Sequence, residues 1–239
     1  TAGLSDAVIL NSVHVRQFAI TEEAAPVDRI TVIPNGVDWS QYRQPVSRAE
    51  LRQRLGLDPA SPLRVCGTVA RLFPQKGLDV LLDAYALLPR NDYLHVFIGE
   101  GDEEAALRAQ AERLGLRDRV IFAGYRRDVP ELLGAFDLYV HPSRFEGMPI
   151  AVIEAMAAGC PIVATAVDGT QELIESGIHG ALAPAEDPNA LALAIDAMLN
   201  DPATAKARGA AAAQRAREQF SIDAMVDRLE QVLLRRVAG

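Results

Sequence analysis

Leu138-Tyr139-Val140-His141-Pro142-Ser143-Arg144-Phe145-Glu146-Gly147-Met148-Pro149-Ile150-Ala151-Val152-Ile153-Glu154-Ala155-Met156-Ala157-Ala158-Gly159 decides the reading of this chain. The run Leu138–His141 has the length and bounds of a strand, and Gly147 and Pro149 then open a helix, Pro being favoured at a first helical position. Backbone N–H groups at such a helix end are free and point outward. With the helix dipole they make an anion site, phosphate being the usual occupant. Glu154 lies five residues into the helix, about 7.5 Å along its axis. It is the only charged residue between Glu146 and Asp168, set among Ile150, Val152, Ile153, Met156 and alanines. A lone glutamate on a helix ordinarily points to solvent or bonds a backbone amide. One placed a turn beyond an anion site in apolar surroundings instead needs hydrogen-bond donors, and sugar hydroxyls are suitable ones.

The same alternation extends in both directions. β-branched runs at Ala7–Leu10, Ile30–Ile33, Leu63–Val69, Leu94–Ile98, Val120–Phe122 and Ile162–Thr165, with a weak one at Ala181–Ala183, predict strands. Helical patterns fall near Arg48–Leu55, Leu78–Leu88, Glu103–Leu114, Val129–Ala135, Thr170–Ser176, Asn189–Asn200 and Ala203–Gln219. Strand, helix, strand at this spacing means right-handed crossovers and a parallel sheet covered on both faces. The fold class is therefore α/β, a doubly wound Rossmann-like sheet, with ligands expected beyond the carboxyl ends of the strands.

Composition sets the boundaries. With 239 residues, 49% hydrophobic and 23% charged, the chain has the make-up of a folded globular protein. Its net charge of −8 argues against a nucleic-acid partner, which would call for a basic face. No long uncharged apolar run or secretory leader is visible, so the expected address is the cytoplasm, with membrane contact at most peripheral at the inner face. Cys66 and Cys160 both sit in apolar runs and read as small buried hydrophobes.

A second constellation follows the strand ending at Val69: Ala70-Arg71-Leu72-Phe73-Pro74-Gln75-Lys76-Gly77. Arg71 as a fork and Lys76 as a point charge can neutralise a diphosphate there, although a surface loop with two cations is often no more than that. Gly99-Glu100-Gly101-Asp102-Glu103-Glu104 lacks a third glycine, and Asp102, Glu103 and Glu104 would repel a pyrophosphate from the helix end, so it reads as a tight turn. A phosphate-binding P-loop and a G-x-S-x-G nucleophile elbow are both absent. His14, His95, His141 and His179 are scattered without metal-ligand spacing, and no metal site is indicated.

These residues resemble a known family. Glu146 and Glu154 form an E-x7-E pair, and with Arg71–Gly77 and Val32-Ile33-Pro34-Asn35-Gly36-Val37-Asp38 the chain is similar to the nucleotide-sugar half of retaining GT-B glycosyltransferases of family 4. The resemblance implies that Arg71 and Lys76 hold the donor diphosphate and that Glu154 binds the ribose hydroxyls. It places Glu146 beside the transferred sugar, Gly147, Met148, Pro149 and Ile150 against the distal phosphate, and the nucleobase near Gly124, Tyr125 and Arg126. Glu146, Arg71 and Lys76 are then the catalytic group. The donor is expected to be a UDP- or GDP-sugar and the acceptor a saccharide or lipid-linked molecule. No cofactor and no metal are expected. Ala70 and Val167-Asp168-Gly169-Thr170 depart from the glycines common in the family, which bears on the sugar and on how Glu172 meets the donor.

The resemblance divides the chain at about 45 and 220. Residues 1–45 are expected to be the last segment of a preceding acceptor domain plus a linker, residues 46–219 the donor-binding domain, and residues 220–239 a helix packing back on that acceptor domain. A chain beginning at Thr1 is read accordingly as a piece of a longer one. Trp39 lies near the break, where it can serve as a fluorescence probe if it senses the cleft. Two readings compete with transfer: a non-catalytic sugar-nucleotide-binding module that needs a partner chain, and a GT-B-type nucleotide-sugar epimerase.

Overall fold

The computed structural model describes residues 7–42 and 46–237, and for 235–237 the backbone only. Residues 1–6, 43–45 and 238–239, which the sequence reading assigned to the two ends and the linker, lie outside the described residues.

The chain opens with β1 (Val8–Leu10), α1 (Val13–Thr21) and β2 (Ile30–Val32), and the two strands pair in parallel. After α2 (Arg48–Arg54) come β3 (Arg64–Val69), α3 (Leu78–Leu87), β4 (Tyr93–Ile98), α4 (Glu104–Arg113) and β5 (Val120–Phe122). The second half runs α5 (Val129–Leu133), β6 (Leu138–His141), α6 (Ile150–Ala157), β7 (Ile162–Thr165), α7 (Asp168–Leu173) and β8 (Ala181–Ala183). It ends with α8 (Pro188–Asn200), α9 (Pro202–Gln219) and α10 (Ile222–Val237).

β3 to β8 form a six-stranded sheet in the order β5-β4-β3-β6-β7-β8, parallel at every pairing. Every residue of β4, β6 and β7 is buried, which is why these strands read as apolar runs rather than alternations. One face carries Val65, Val96, Tyr139 and Ile162 against α5, α6 and α9. The other carries Cys66, Phe97, Leu138 and Val163 against α3, α4 and α8. Helices α8 and α9 start at Asp-Pro pairs. Asp187 accepts from Ala190 N and Asp201 from Thr204 N, each at 3.0 Å, satisfying donors that a helix start leaves free.

β3 pairs with β4 on one side and with β6 on the other, so the chain reverses its direction of winding between them. The crevice of a doubly wound sheet opens at that switch point. Gly77 holds the two loops there together: its φ is +60°, and a Cβ on it would stand 2.2 Å from the Pro142 carbonyl oxygen.

The N-terminal segment is fixed to the rest of the chain at several points. Val37 N donates to Phe220 O at 2.9 Å and Ile222 N to Val37 O at 3.0 Å, tying the start of α10 to the stretch after β2. Glu172 of α7 accepts from Val13 N, His14 N and His14 Nδ1 at 3.1, 3.0 and 2.8 Å, closing the first turn of α1. The Glu172 carboxylate thus caps α1, and the hydrogen bond from the His14 side chain, with those from the His14 and Val13 amides, holds its pKa below the ordinary carboxylate value despite partial burial.

Gly77→Ala is expected to lower stability by about 1–3 kcal/mol, because it adds both the left-handed strain and the collision with Pro142 O. Chemical denaturation measures this, and an unchanged midpoint would contradict the tight apposition of the two loops.

Candidate functional site

A cleft of about 1270 Å³ opens beyond the carboxyl ends of β3, β4, β5 and β6. Arg71, Phe73 and Lys76 line it from the loop after β3, and Glu146 to Ala151 with Glu154 from the loop after β6 and from α6. Tyr125, Arg126 and Arg127 close one end. Asn11, Asn35 and Gln41 reach in from the N-terminal segment.

The loops after β3 and β6 are bonded to each other. Arg144 N donates to Gln75 O at 2.8 Å, and Gln75 Nε2 to Phe145 O at 3.0 Å. Arg144 grips the Asp79 carboxylate of α3 with both terminal nitrogens at 2.8 Å. On this frame Lys76 Nζ donates to Glu146 Oε1 at 2.6 Å. Ser143 Oγ donates to the same oxygen at 2.8 Å, and His141 Nε2 lies 3.0 Å from it. Burial alone would raise the Glu146 carboxyl. The hydrogen bonds and charge of His141 and Lys76 outweigh that and hold it at about 2.

Glu154 is in a different setting. Tyr42 Oη donates to its Oε1 at 3.0 Å, and burial nevertheless pushes the carboxyl above its ordinary value. Tyr42 is its one donor among the described residues, which leaves the carboxylate able to accept a ligand's hydroxyls. Helix α6 starts at Ile150 with Pro149 at its cap, and no side chain caps it. Val152 N and Ile153 N both donate to Pro149 O, so the amides aimed outward are those of Ile150 and Ala151. Asn35 Nδ2 donates to Met148 O at 3.0 Å and steadies the turn before the helix. A Cβ on Gly169 would stand 1.7 Å from Gly147 O, so that glycine of the departing Val167–Thr170 stretch is needed where it stands.

Arg71 is exposed, with its guanidinium 5.0 Å from the Phe73 ring centroid, and among the described residues it has no carboxylate partner. Arg126 lines the cleft with its charge engaged. Its Nε and Nη2 hold Asp128 at 2.8 and 2.7 Å and its Nη1 donates to Arg54 O, so its charge is already matched where a nucleobase contact was expected. Gly124 turns the chain, with φ +64° and its carbonyl accepting from Gly99 N, but it does not line the cleft, whereas Tyr125 does. The Gly99–Asp102 stretch, read from sequence as a mere turn, forms part of the wall, with Glu100 Oε1 accepting from Tyr125 N at 3.3 Å. Trp39 does not line the cleft; Arg217 of α9 covers its ring at 5.1 Å. Sequence reasoning missed Tyr42, Ser143 and His141. Only the position of Ser143 and His141, within five residues of Glu146, could have flagged them.

A family profile described as "Glycosyl transferases group 1" matches residues 48–215. Lipopolysaccharide core biosynthesis mannosyltransferase LpsB of Rhizobium meliloti is 34% identical over 81% of this chain and 57% of that protein. D-inositol 3-phosphate glycosyltransferase of Xylanimonas cellulosilytica is 35% identical over 98% of this chain and 59% of its own length. The crystal structure of Anabaena Alr3699/HepE in complex with UDP-glucose superposes with a TM-score of 0.89 at 31% identity, covering 96% of this chain and 64% of that one. The chain thus spans less than two thirds of each of these relatives.

The two glutamates are expected to act oppositely on stability. A depressed folded-state pKa at Glu146 supplies stability above the ordinary carboxylate value and loses it as pH falls toward about 2. Glu146→Gln should therefore cost about 1–3 kcal/mol at neutral pH, the gap closing in acid. The raised pKa of Glu154 means that stability falls as pH rises through it, so Glu154→Gln should be the more stable protein at neutral pH and equal to wild type in acid. Thermal melts across pH decide both, and parallel curves for wild type and variants would contradict these assignments.

Proposed function

The chain belongs to the glycosyl transferases group 1 family, and from that premise we propose that it is the donor-binding half of a retaining GT-B enzyme of family 4. In this proposal it takes a UDP- or GDP-sugar, whose sugar passes to a saccharide or lipid-linked acceptor with its anomeric configuration kept. The acceptor site belongs to a preceding domain, of which residues 1–45 are the last segment; the donor domain spans 46–219, and residues 220–239 are a helix that packs back toward the acceptor domain. The observation that carries the reading is the single cleft in which Arg71, Lys76, Glu146, the open start of α6 and Glu154 meet.

Each part has a task set by its chemistry. Arg71 and Lys76 take the diphosphate with the Ile150 and Ala151 amides, so that charge developing on the leaving group meets fixed positive charge and dipoles. Glu154, short of donors in its buried position, accepts from the ribose hydroxyls. Glu146, already ionised, stands where the sugar follows the distal phosphate. Tyr125, exposed at the end of the cleft, receives the base. The acceptor hydroxyl attacks the anomeric carbon on the face from which the diphosphate leaves, the bond to the phosphate oxygen breaks, and the acceptor's proton passes to that oxygen. The two-carboxylate logic of a hydrolase needs both glutamates flanking one glycosidic bond, and Glu154 lies instead a helical turn beyond the anion site. The charge balance needs no metal ion in this scheme. A relative crystallised with UDP-glucose makes UDP the first nucleotide to try.

Calorimetric titration of the chain with UDP, GDP and ADP tests the proposal. One nucleotide should bind with equal affinity in EDTA, and Lys76→Ala and Glu154→Ala should each weaken it at least tenfold. Retained affinity in both variants would overturn the assignment of the cleft.

A further inference from the structure

Three donors converge on one oxygen of Glu146. Lys76 comes from the loop after β3, His141 from the end of β6 and Ser143 from the loop that follows. His141 and Ser143 are buried at 1% and 0% exposure, and neither side chain is needed by the functional reading given above. Their own placement is firmly held. Thr165 Oγ1 donates to Ser143 O at 2.5 Å, and the Tyr139 ring stacks on His141 with its hydroxyl 3.4 Å from Nδ1. An ionised carboxylate only accepts hydrogen bonds, so the Nε2 of His141 carries the proton.

We infer that His141 and Ser143 are positioning residues that anchor Glu146 Oε1 independently of Lys76, which frees Lys76 to exchange Glu146 for the donor diphosphate while the glutamate stays ionised and in place. This deepens the donor-site reading and rests on it. With Lys76 alone as a partner, moving the ammonium onto a phosphate would strand a buried carboxylate, which is costly. Two further donors, on the strand and loop that carry Glu146 itself, remove that conflict. The second oxygen, Oε2, is then left to meet the sugar.

The test follows the Glu146 side-chain carboxyl by NMR in the 239-residue chain with carbon-13-labelled glutamate, titrated through the carboxylate range free and saturated with UDP. Wild type should titrate near 2 and remain low with UDP bound. Ser143→Ala and His141→Gln should each raise the proton affinity of Glu146 about tenfold or more, and further when UDP is added, whereas Ser143→Thr should restore the wild-type behaviour. A purely structural role for Ser143 would leave the titration of a folded Ser143→Ala unmoved, and that result overturns the inference. The wild type alone gives a second reading, independent of how the variants fold: the nitrogen-15 shift of His141 Nε2 should be that of a protonated nitrogen at neutral pH, and a bare Nε2 also overturns it. If UDP does not bind, the donor reading fails separately, and the midpoints in the free protein still decide whether His141 and Ser143 anchor Glu146.

Discussion

Lys76 and Glu146 are 70 residues apart in sequence and 2.6 Å apart in space, and the cleft is arranged around that contact. It exists because β3 and β6 are neighbours at the place where the sheet changes its direction of winding. Each strand delivers its loop to the same side of the sheet, one carrying cations and the other a carboxylate and a helix start. With side-chain exposures of 19% and 8%, the pair is poorly hydrated. A partly buried ion pair holds only when its remaining hydrogen-bonding capacity is met. Ser143 and His141 supply it on the Glu146 side, while the bonds from Arg144 N to Gln75 O and from Gln75 Nε2 to Phe145 O hold the two loops together.

The second wall has a separate origin. Tyr42 reaches Glu154, Asn35 reaches Met148, and Asn11 lies close against Gly147, all from the stretch before α2. That stretch is held by Glu172 at the first turn of α1 and by the Val37 bonds to the end of α9 and the start of α10. Position of the N-terminal segment and shape of the cleft are thus linked through backbone hydrogen bonds, not through apolar packing alone. Among the described residues no helix is long and apolar enough to cross a membrane.

How much of this was legible in the sequence follows from the range of each interaction. The strands and helices are local matters of periodicity and turn chemistry, and those read from sequence lie within a few residues of the observed ones; α7, which starts at Asp168 rather than Thr170, is among the larger departures. A helix turn beginning at Asp168 with φ +23° is an unusual start that no propensity announces. Lys76 and Glu146 were legible as chemistry because each sits in a loop after a strand. Their direct bond was not, since it depends on strand order. Tyr42 lies 112 residues from Glu154, in a stretch whose only sequence signal was a break between segments. Arg126 lines the cleft as its place in the sequence suggested, but its pairing with Asp128, two residues on, was not read from the sequence. His141 looked like one scattered histidine among four until the fold placed it beside Glu146.

The central claim is that the two loops at the switch point form one electrostatic unit. A double-mutant cycle on Lys76→Met and Glu146→Gln, read as unfolding free energy at neutral pH, measures it most directly. The account predicts a favourable coupling of about 0.5–3 kcal/mol, the range found for residues in contact within one network. Additive effects, with a coupling indistinguishable from zero, would contradict it.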